Sequence, residues 1–198
     1  MKRSTRLALW CIFTVFLAAS TNAQISPRKE FLVNITTTYD QHDPVVAADS
    51  FGNFVCAITN GSRDKSIRAR ILDTSSTSSG SSFQVNVTGT DNQRDPAIAM
   101  AASGNYVIAW NSKNQDGDGS GIYLRLFPKI GASSSEIRAN TSTTSNQSLP
   151  AVAMNGSGSF VVVWTDDVRD FSQSGVYGQR FDDTAGKVGT EIAINYNT

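Results

Sequence analysis

Apolar residues along this chain gather in short runs, and none of the runs repeats with a helical period. Phe54–Ile58 is apolar throughout, the pattern of a strand buried on both faces. Ile67–Leu72 alternates apolar and polar residues; Ile122–Phe127 and Val176–Phe181 follow it less cleanly. Pro44–Ala48 is short, made of small residues, and opens on a proline, which the first position of a strand tolerates. Gly52-Asn53 supplies a tight turn between the first two runs. Phe83–Asn86 is a fourth short run. Thr74–Ser82 holds eight Ser/Thr in nine residues and reads as the loop between the third and fourth runs. β-Branched residues and Ser/Thr/Asn/Asp/Gly connections argue against helix.

The four runs recur. DPVVAADSFGNFVCAI (43–58), DPAIAMAASGNYVIAW (95–110) and LPAVAMNGSGSFVVVW (149–164) align, with prolines at 44, 96 and 150. Gln41, Gln93 and Gln147 precede those prolines by three residues, and Gly52, Gly104 and Gly158 keep the same phase. SIRARIL (66–72), GIYLRLF (121–127) and GVYGQRF (175–181) follow. A short apolar unit ending in Asn occurs four times, at Phe31–Asn34, Phe83–Asn86, Ile137–Asn140 and Ile192–Asn195. A four-stranded unit of about 40–50 residues, repeated, is the sequence form of a β-propeller blade. The fold expected is therefore all-β: three four-stranded propeller-like blades (about 43–86, 95–140 and 149–195) plus one extra leading strand, 31–34. A pair of small β-sandwiches is the alternative. Small alanine-rich strands suit a crowded propeller axis, and a β-helix would need much shorter coils.

Residues 1–23 read as a signal peptide. Lys2, Arg3 and Arg6 precede the 13-residue apolar run Leu7–Ala19, and Thr21 and Ala23 give a small-x-small cleavage pattern before Gln24. Thirteen helical residues reach about 20 Å, short of the ~30 Å hydrocarbon core of a bilayer. The repeat domain is then 24–198, and the expected location is secreted or cell-surface, periplasmic or extracellular in a bacterium. No later segment is apolar enough to span a membrane.

Composition narrows the function. The 198 residues carry 17 Lys+Arg and 17 Asp+Glu. Without Lys2, Arg3 and Arg6 the 17 basic residues fall to 14, a balance of −3, which argues against a nucleic-acid footprint. One His, and one Cys after Cys11 leaves, exclude a Cys/His zinc cluster and an intrachain disulfide framework.

The order Pro-x-hydrophobic-Ala, Gly-x-aromatic-Val-Val-x-Trp, Val-Tyr-x-x-Arg-Phe-Asp, Gly and hydrophobic-x-hydrophobic-Asn resembles blades of secreted bacterial-type propeller repeat proteins, over roughly residues 31–198. More distantly it resembles the sialidase-type blade. That resemblance implies Asp-box loops, but the matching stretch Phe181–Val188 lacks their Ser and Trp. It also implies an arginine triad for a substrate carboxylate. Arg70 and Arg125 are in register, and Gln179 holds the third place.

Candidate chemistry is sparse. Asn114, Asp116 and Asp118 alternate as in an oxygen-rich calcium loop, with Gly117 and Gly119 permitting sharp turns. The loop's twelfth position holds Arg125 instead of Glu, and a polar hairpin with Asx turns is the alternative. No other cofactor is indicated. His42 has Arg94 and Ser148 as counterparts, and Asp43 and Asp95 have Leu149, which points to turn chemistry over a catalytic carboxylate pair. Trp110 and Trp164 share their position with Ile58, which favours a place between blades over a sugar-stacking platform. Cys56 aligns with Ile108 and Val162 and reads as a small buried hydrophobe. Six sequons, at Asn34, Asn60, Asn86, Asn140, Asn146 and Asn155, are candidate glycosylation sites in a eukaryotic secretory path. Asn34, Asn86 and Asn140 are also the repeated fourth-strand Asn, a structural reason for their presence.

Propellers typically close with four to eight blades. Three blades imply a fragment of a longer repeat chain or a protomer that assembles. Two copies would give six blades, with each leading strand completing the partner's third blade. The function expected is a non-catalytic propeller module binding protein or carbohydrate; the alternative is a sialidase-like glycoside hydrolase or an accessory fragment of one.

Overall fold

The computed structural model describes residues 33, 38–62, 65–72, 80–170 and 173–195. The signal segment 1–23 lies outside these residues. So does the leading strand 31–34 except for Val33.

Twelve strands form three four-stranded antiparallel sheets, each meandering in chain order. The first blade holds β1 (Gln41–Ala48), β2 (Phe54–Asn60), β3 (Ser66–Leu72) and β4 (Phe83–Gln84). The second holds β5 (Gln93–Met100), β6 (Tyr106–Lys113), β7 (Ser120–Phe127) and β8 (Ile137–Arg138). The third holds β9 (Gln147–Met154), β10 (Phe160–Asp170), β11 (Gln173–Phe181) and β12 (Lys187–Ala193). β5 lies against both β1 and β9, so the first strands of the blades form the inner row. The fold is all-β and propeller-like, with no helix among the described residues.

The inner strands begin earlier than their prolines suggest. Each starts at the repeated Gln and then bulges, with register shifts at His42/Val45, Arg94/Ala97 and opposite Val163/Thr165. Pro44, Pro96 and Pro150 sit in the bulges. A bulge leaves one residue out of the ladder, so the missing proline N–H costs no strand hydrogen bond. The residue before each proline, Asp43, Asp95 or Leu149, has φ of 53°, 54° or 52°. Asp accepts this left-handed conformation more readily than Leu.

The fourth strands are shorter than expected in the first two blades. β4 and β8 pair through two residues each. Val85 and Ala139 then continue the ladder by donating N–H to Ile67 O and Ile122 O. The next residue substitutes a side chain for backbone: Asn86 Oδ1 accepts from Ile67 N at 2.9 Å, and Asn140 Oδ1 from Ile122 N at 2.8 Å. Asn195 Oδ1 takes the Val176 N–H in the same way. This explains the repeated terminal Asn.

Two cores seal the blades. Val55, Ala57, Ile67 and Ala69 of the first blade meet Tyr106, Ile108, Trp110 and Phe127 of the second. The opposite face of the second blade, with Val107, Ala109, Ile122 and Leu124, meets Phe160, Val162, Trp164 and Phe181 of the third. β6 is consequently buried along nearly its whole length, as a strand between two neighbours must be. β12 completes the third blade, so no exchanged leading strand is needed there. Val33 O instead accepts from Arg70 Nη1 at 3.0 Å, as Val85 O accepts from Arg125 Nη1 at 2.8 Å. The residue ahead of the first blade thus takes the role that a fourth-strand residue plays one blade later.

Candidate functional site

The meander brings most of the chemistry-bearing residues to one end of the blades. The starts of β1, β5 and β9 lie there, together with the β2–β3, β6–β7 and β10–β11 hairpins. The inner row presents His42-Asp43, Arg94-Asp95 and Ser148-Leu149 at successive bulges.

Both inner-row carboxylates are engaged locally. Asp43 Oδ2 lies 2.6 Å from His42 Nδ1 and accepts from Thr59 Oγ1 at 3.2 Å. Asp95 Oδ2 lies 3.5 Å from Arg94 Nε. The third position is the exposed Leu149. Each pair is formed by consecutive residues at a bulge, so it is a local turn contact rather than a charge relay between strands. A hollow of about 200 Å³ beside this row is lined by Val33, Gln41, His42, Pro44, Cys56 and Ile58. Burial pushes the Cys56 thiol pKa up, which favours the unreactive thiol form. Cys56 is only half-buried, unlike Ile108 and Val162, because its side of β2 faces away from the second blade. Tyr39, just ahead of β1, is 71% exposed and has φ of 72°.

The 114–120 hairpin stands at the same end. Asn114 is left-handed at φ 59°, and its N–H reaches Gly119 O at 2.6 Å. Asp116 Oδ2 accepts from Asn140 Nδ2 at 3.0 Å, and Asp118 Oδ2 from Ser145 N at 3.0 Å. The two acids therefore fasten the hairpin to the segment leading into β9. At Gly119 a Cβ would sit 2.4 Å from Ser145 O, so this close approach requires glycine. Among the described residues, no group of three or more His, Cys, Asp or Glu could hold a metal ion.

A buried polar network, not visible in the residue pattern, lies beneath the hairpin. Gln147 and Asp166 are fully buried. Gln147 Oε1 accepts from Asn140 Nδ2, and its Nε2 donates to Asp166 Oδ2 and Thr144 O. Asn111 Nδ2 donates to Gln147 O at 2.8 Å. In the second blade the corresponding Gln93 Oε1 instead accepts from Trp110 Nε1 at 2.9 Å. The repeated Gln was the available signal, but its partners change from blade to blade.

The remaining candidates fall into structural places. Trp110 and Trp164 are buried in the inter-blade cores, and Tyr123 is buried beside Trp110. Burial pushes the Tyr123 pKa upward. Tyr177 lies under the Arg169 guanidinium, 4.0 Å from its ring centre. Arg70 and Arg125 are not free to form an anion clamp: each reaches its own blade's loop, at Gly80 O and Ser134 O, and Val33 O or Val85 O beyond. Gln179 turns to Arg180 O, Val188 O and Gly189 O of its own blade.

Asp182 is no Asp-box acid. It closes the β11–β12 turn by accepting from Thr184 N and Oγ1 and from Gly186 N, and these hydrogen bonds hold its pKa below the usual carboxylate range. Of the sequon asparagines, Asn34 lies outside the described residues. Asn86 and Asn140 have their carboxamides inside the fold; Asn60 is half-buried and accepts from Gln41 Nε2. Asn146 and Asn155 are exposed.

No family model matches the chain, and no curated protein matches it. Among solved structures it is similar to an endo-arabinase from Bacteroides thetaiotaomicron VPI-5482, at 10% identity and a TM-score of 0.50, covering 84% of this chain and 66% of that one. It is also similar to a thermostable family-43 glycoside hydrolase, at 10% identity and a TM-score of 0.47, covering 79% and 58%. A third is an endo-1,4-beta-xylanase from Bacteroides thetaiotaomicron VPI-5482, at 12% identity and a TM-score of 0.47, covering 78% and 60%. The chain spans less than two thirds of each of these proteins. At such identity the likeness to the endo-arabinase speaks for the fold, a β-propeller-like stack of blades, and does not single out the sialidase type. Among the described residues no helix is long and apolar enough to cross a membrane.

Proposed function

We propose that the chain is a secreted or cell-surface, non-catalytic propeller module that binds carbohydrate at the end where its inner strands begin. The observation that carries this reading is the state of the inner row. Its two acids are occupied by adjacent bases, and the third blade places Leu149 where a further acid would stand. General acid–base cleavage of a glycoside uses two carboxyl groups flanking the bond, one of them positioned to give up a proton. Paired, half-exposed acids at local turns are better suited to accepting hydroxyl hydrogen bonds. Exposed Tyr39 adds a ring face at the same end. The structure with which the chain shares its blade stack is that of an endo-arabinase, and arabinan is therefore the first ligand to try.

The test is titration calorimetry with arabinan, xylan and sialylated oligosaccharides, run beside hydrolysis assays on the same sugars. Saturable binding without product release, weakened several-fold by Tyr39→Ala, is the expected result. Steady release of reducing ends that stops in Asp43→Asn would replace this reading with a hydrolase. Absence of binding to every sugar would leave protein as the ligand class and overturn the carbohydrate reading.

A further inference from the structure

We propose that Asn155, in the β9–β10 turn, is a self-modifying residue whose side-chain amide is lost as ammonia after attack by the Gly156 backbone nitrogen. The sequence holds two Asn-Gly pairs, Asn60-Gly61 and Asn155-Gly156. Glycine has no Cβ to hinder its own nitrogen, so such pairs are where this attack is easiest. The two pairs stand in opposite surroundings. Asn60 is half-buried at the end of β2, and Gly61 is buried with its N–H bound to Asp40 O at 3.0 Å. Asn155, Gly156 and Ser157 are exposed. The Gly156 N–H has no hydrogen-bond partner among the described residues, and a Cβ on Gly156 would meet nothing within 4 Å. The attacking nitrogen is open to solvent at one pair and tied at the other.

The turn also presents donors to the oxygen on which charge develops. Asn155 Oδ1 accepts from Ser157 N at 3.1 Å, Ser157 Oγ at 2.7 Å and Ser159 N at 3.0 Å. The β11–β12 turn has the same donors in the same places, Thr184 N, Thr184 Oγ1 and Gly186 N, with Asp182 as the acceptor. In the β1–β2 turn Asp49 Oδ1 accepts from Phe51 N and Asn53 N. In both turns the donors stabilise a negative oxygen. The Thr184 hydroxyl and the Gly186 and Thr184 N–H groups hold Asp182 below the usual carboxylate range, and Asn53 and the Phe51 N–H do the same for Asp49. A tetrahedral oxyanion on Asn155 Cγ would therefore meet donors already in place. Asn155 is a neutral acceptor in a donor set that the chain twice fills with a carboxylate.

The step balances with water alone. Hydroxide takes the Gly156 N–H proton, the nitrogen bonds to Asn155 Cγ, and the Cγ–Nδ2 bond breaks. Nδ2 leaves as ammonia with a proton from water, and a cyclic imide remains. Water then opens the imide. Attack at Cγ gives aspartate, whose oxygens stay in the donor set as charge-assisted acceptors. Attack at the backbone carbonyl carbon gives isoaspartate, which adds a methylene to the main chain and displaces Asn155 O from its partner Gly158 N at 3.1 Å. The folded turn favours aspartate. The product then has the carboxylate turn already seen at Asp182, carries an added negative charge, and has lost the Asn155 sequon.

Peptide mapping by mass spectrometry in heavy-oxygen water tests the proposal, on the full chain made in bacteria so that Nδ2 carries no glycan. At mildly alkaline pH Asn155 should take up heavy oxygen several-fold faster than Asn60, with aspartate exceeding isoaspartate at the site. In urea the two pairs should react at similar rates, because only the Asn-Gly sequence then remains. Ser157→Ala, which removes the hydroxyl donor, should slow the folded reaction several-fold and leave the rate in urea unchanged. Ser157→Thr, which copies Thr184, should keep the fast rate. Asn155→Asp should melt at or above the wild type. Equal rates at Asn155 and Asn60 in the folded chain, or an Asn155 that reacts only in urea, would overturn the proposal. A folded Ser157→Ala chain that reacts as fast as the wild type would overturn the role of the donors. A lower melt for Asn155→Asp would show that the turn rejects the carboxylate, and would overturn aspartate as the favoured product.

Discussion

Trp110 and Trp164 occupy the same place in successive blades, yet their indole nitrogens meet different fates. Trp110 Nε1 donates to Gln93 Oε1, whereas Trp164 Nε1 is buried with no hydrogen-bond partner among the described residues. The reason lies in Gln147, whose amide is drawn to Asn140 and Asp166. A buried polar group left unpaired costs about 1–3 kcal/mol. Trp110→Phe strands Gln93 Oε1, while Trp164→Phe removes a donor that is already unpaired. Urea melts should therefore show Trp110→Phe to be the less stable variant by about 1–2 kcal/mol. Equal midpoints would mean that the Trp110–Gln93 bond contributes nothing. The core position of both rings was readable from Ile58, since a fold that accepts Ile there is filling volume. The fate of the nitrogens was not, because it depends on Asp166, whose counterparts Asn60 and Ser112 are different residues.

At the scale of elements, period and turns gave away each strand's existence, and side-chain substitution for backbone hid its ends. Pro44 looked like a strand's first residue; the bulge lets β1 begin at Gln41. Phe83–Asn86 looked like a full strand; Asn86 instead delivers its carboxamide to the ladder. The arginine row was legible as a repeat but not as a clasp between blades. Arg125 Nη1 to Val85 O ties the third strand of one blade to the fourth strand of the blade before it. Arg125→Gln copies the third blade, where among the described residues Gln179 bonds within its own sheet. The substitution should lower stability by about 1–3 kcal/mol, the value of a hydrogen bond to a charged group, discounted because Arg125 is only part-buried. Arg94→Gln, at an exposed ion pair, should shift the melt far less. If both variants melt alike, the clasp has no energetic role.

For the whole molecule, the three blades are chemically alike but differ in how many neighbours they have. Among the described residues the second blade takes part in both cores, and each outer blade in one. Stability in a stacked repeat is approximately a sum of each unit's own stability and its nearest-neighbour contacts. The middle blade holds two of those contacts, so it should be the last to open. β6 and β7 are buried almost end to end, whereas β1 and β9 alternate between partly covered and exposed residues. Hydrogen exchange followed by mass spectrometry should show the slowest amides in Tyr106–Lys113 and Ser120–Phe127. Local opening should appear first at the hydrogen-bonded edges of the outer blades. Slowest exchange in the first or third blade would show that neighbour contacts do not set the order of opening, and that stability resides within each sheet.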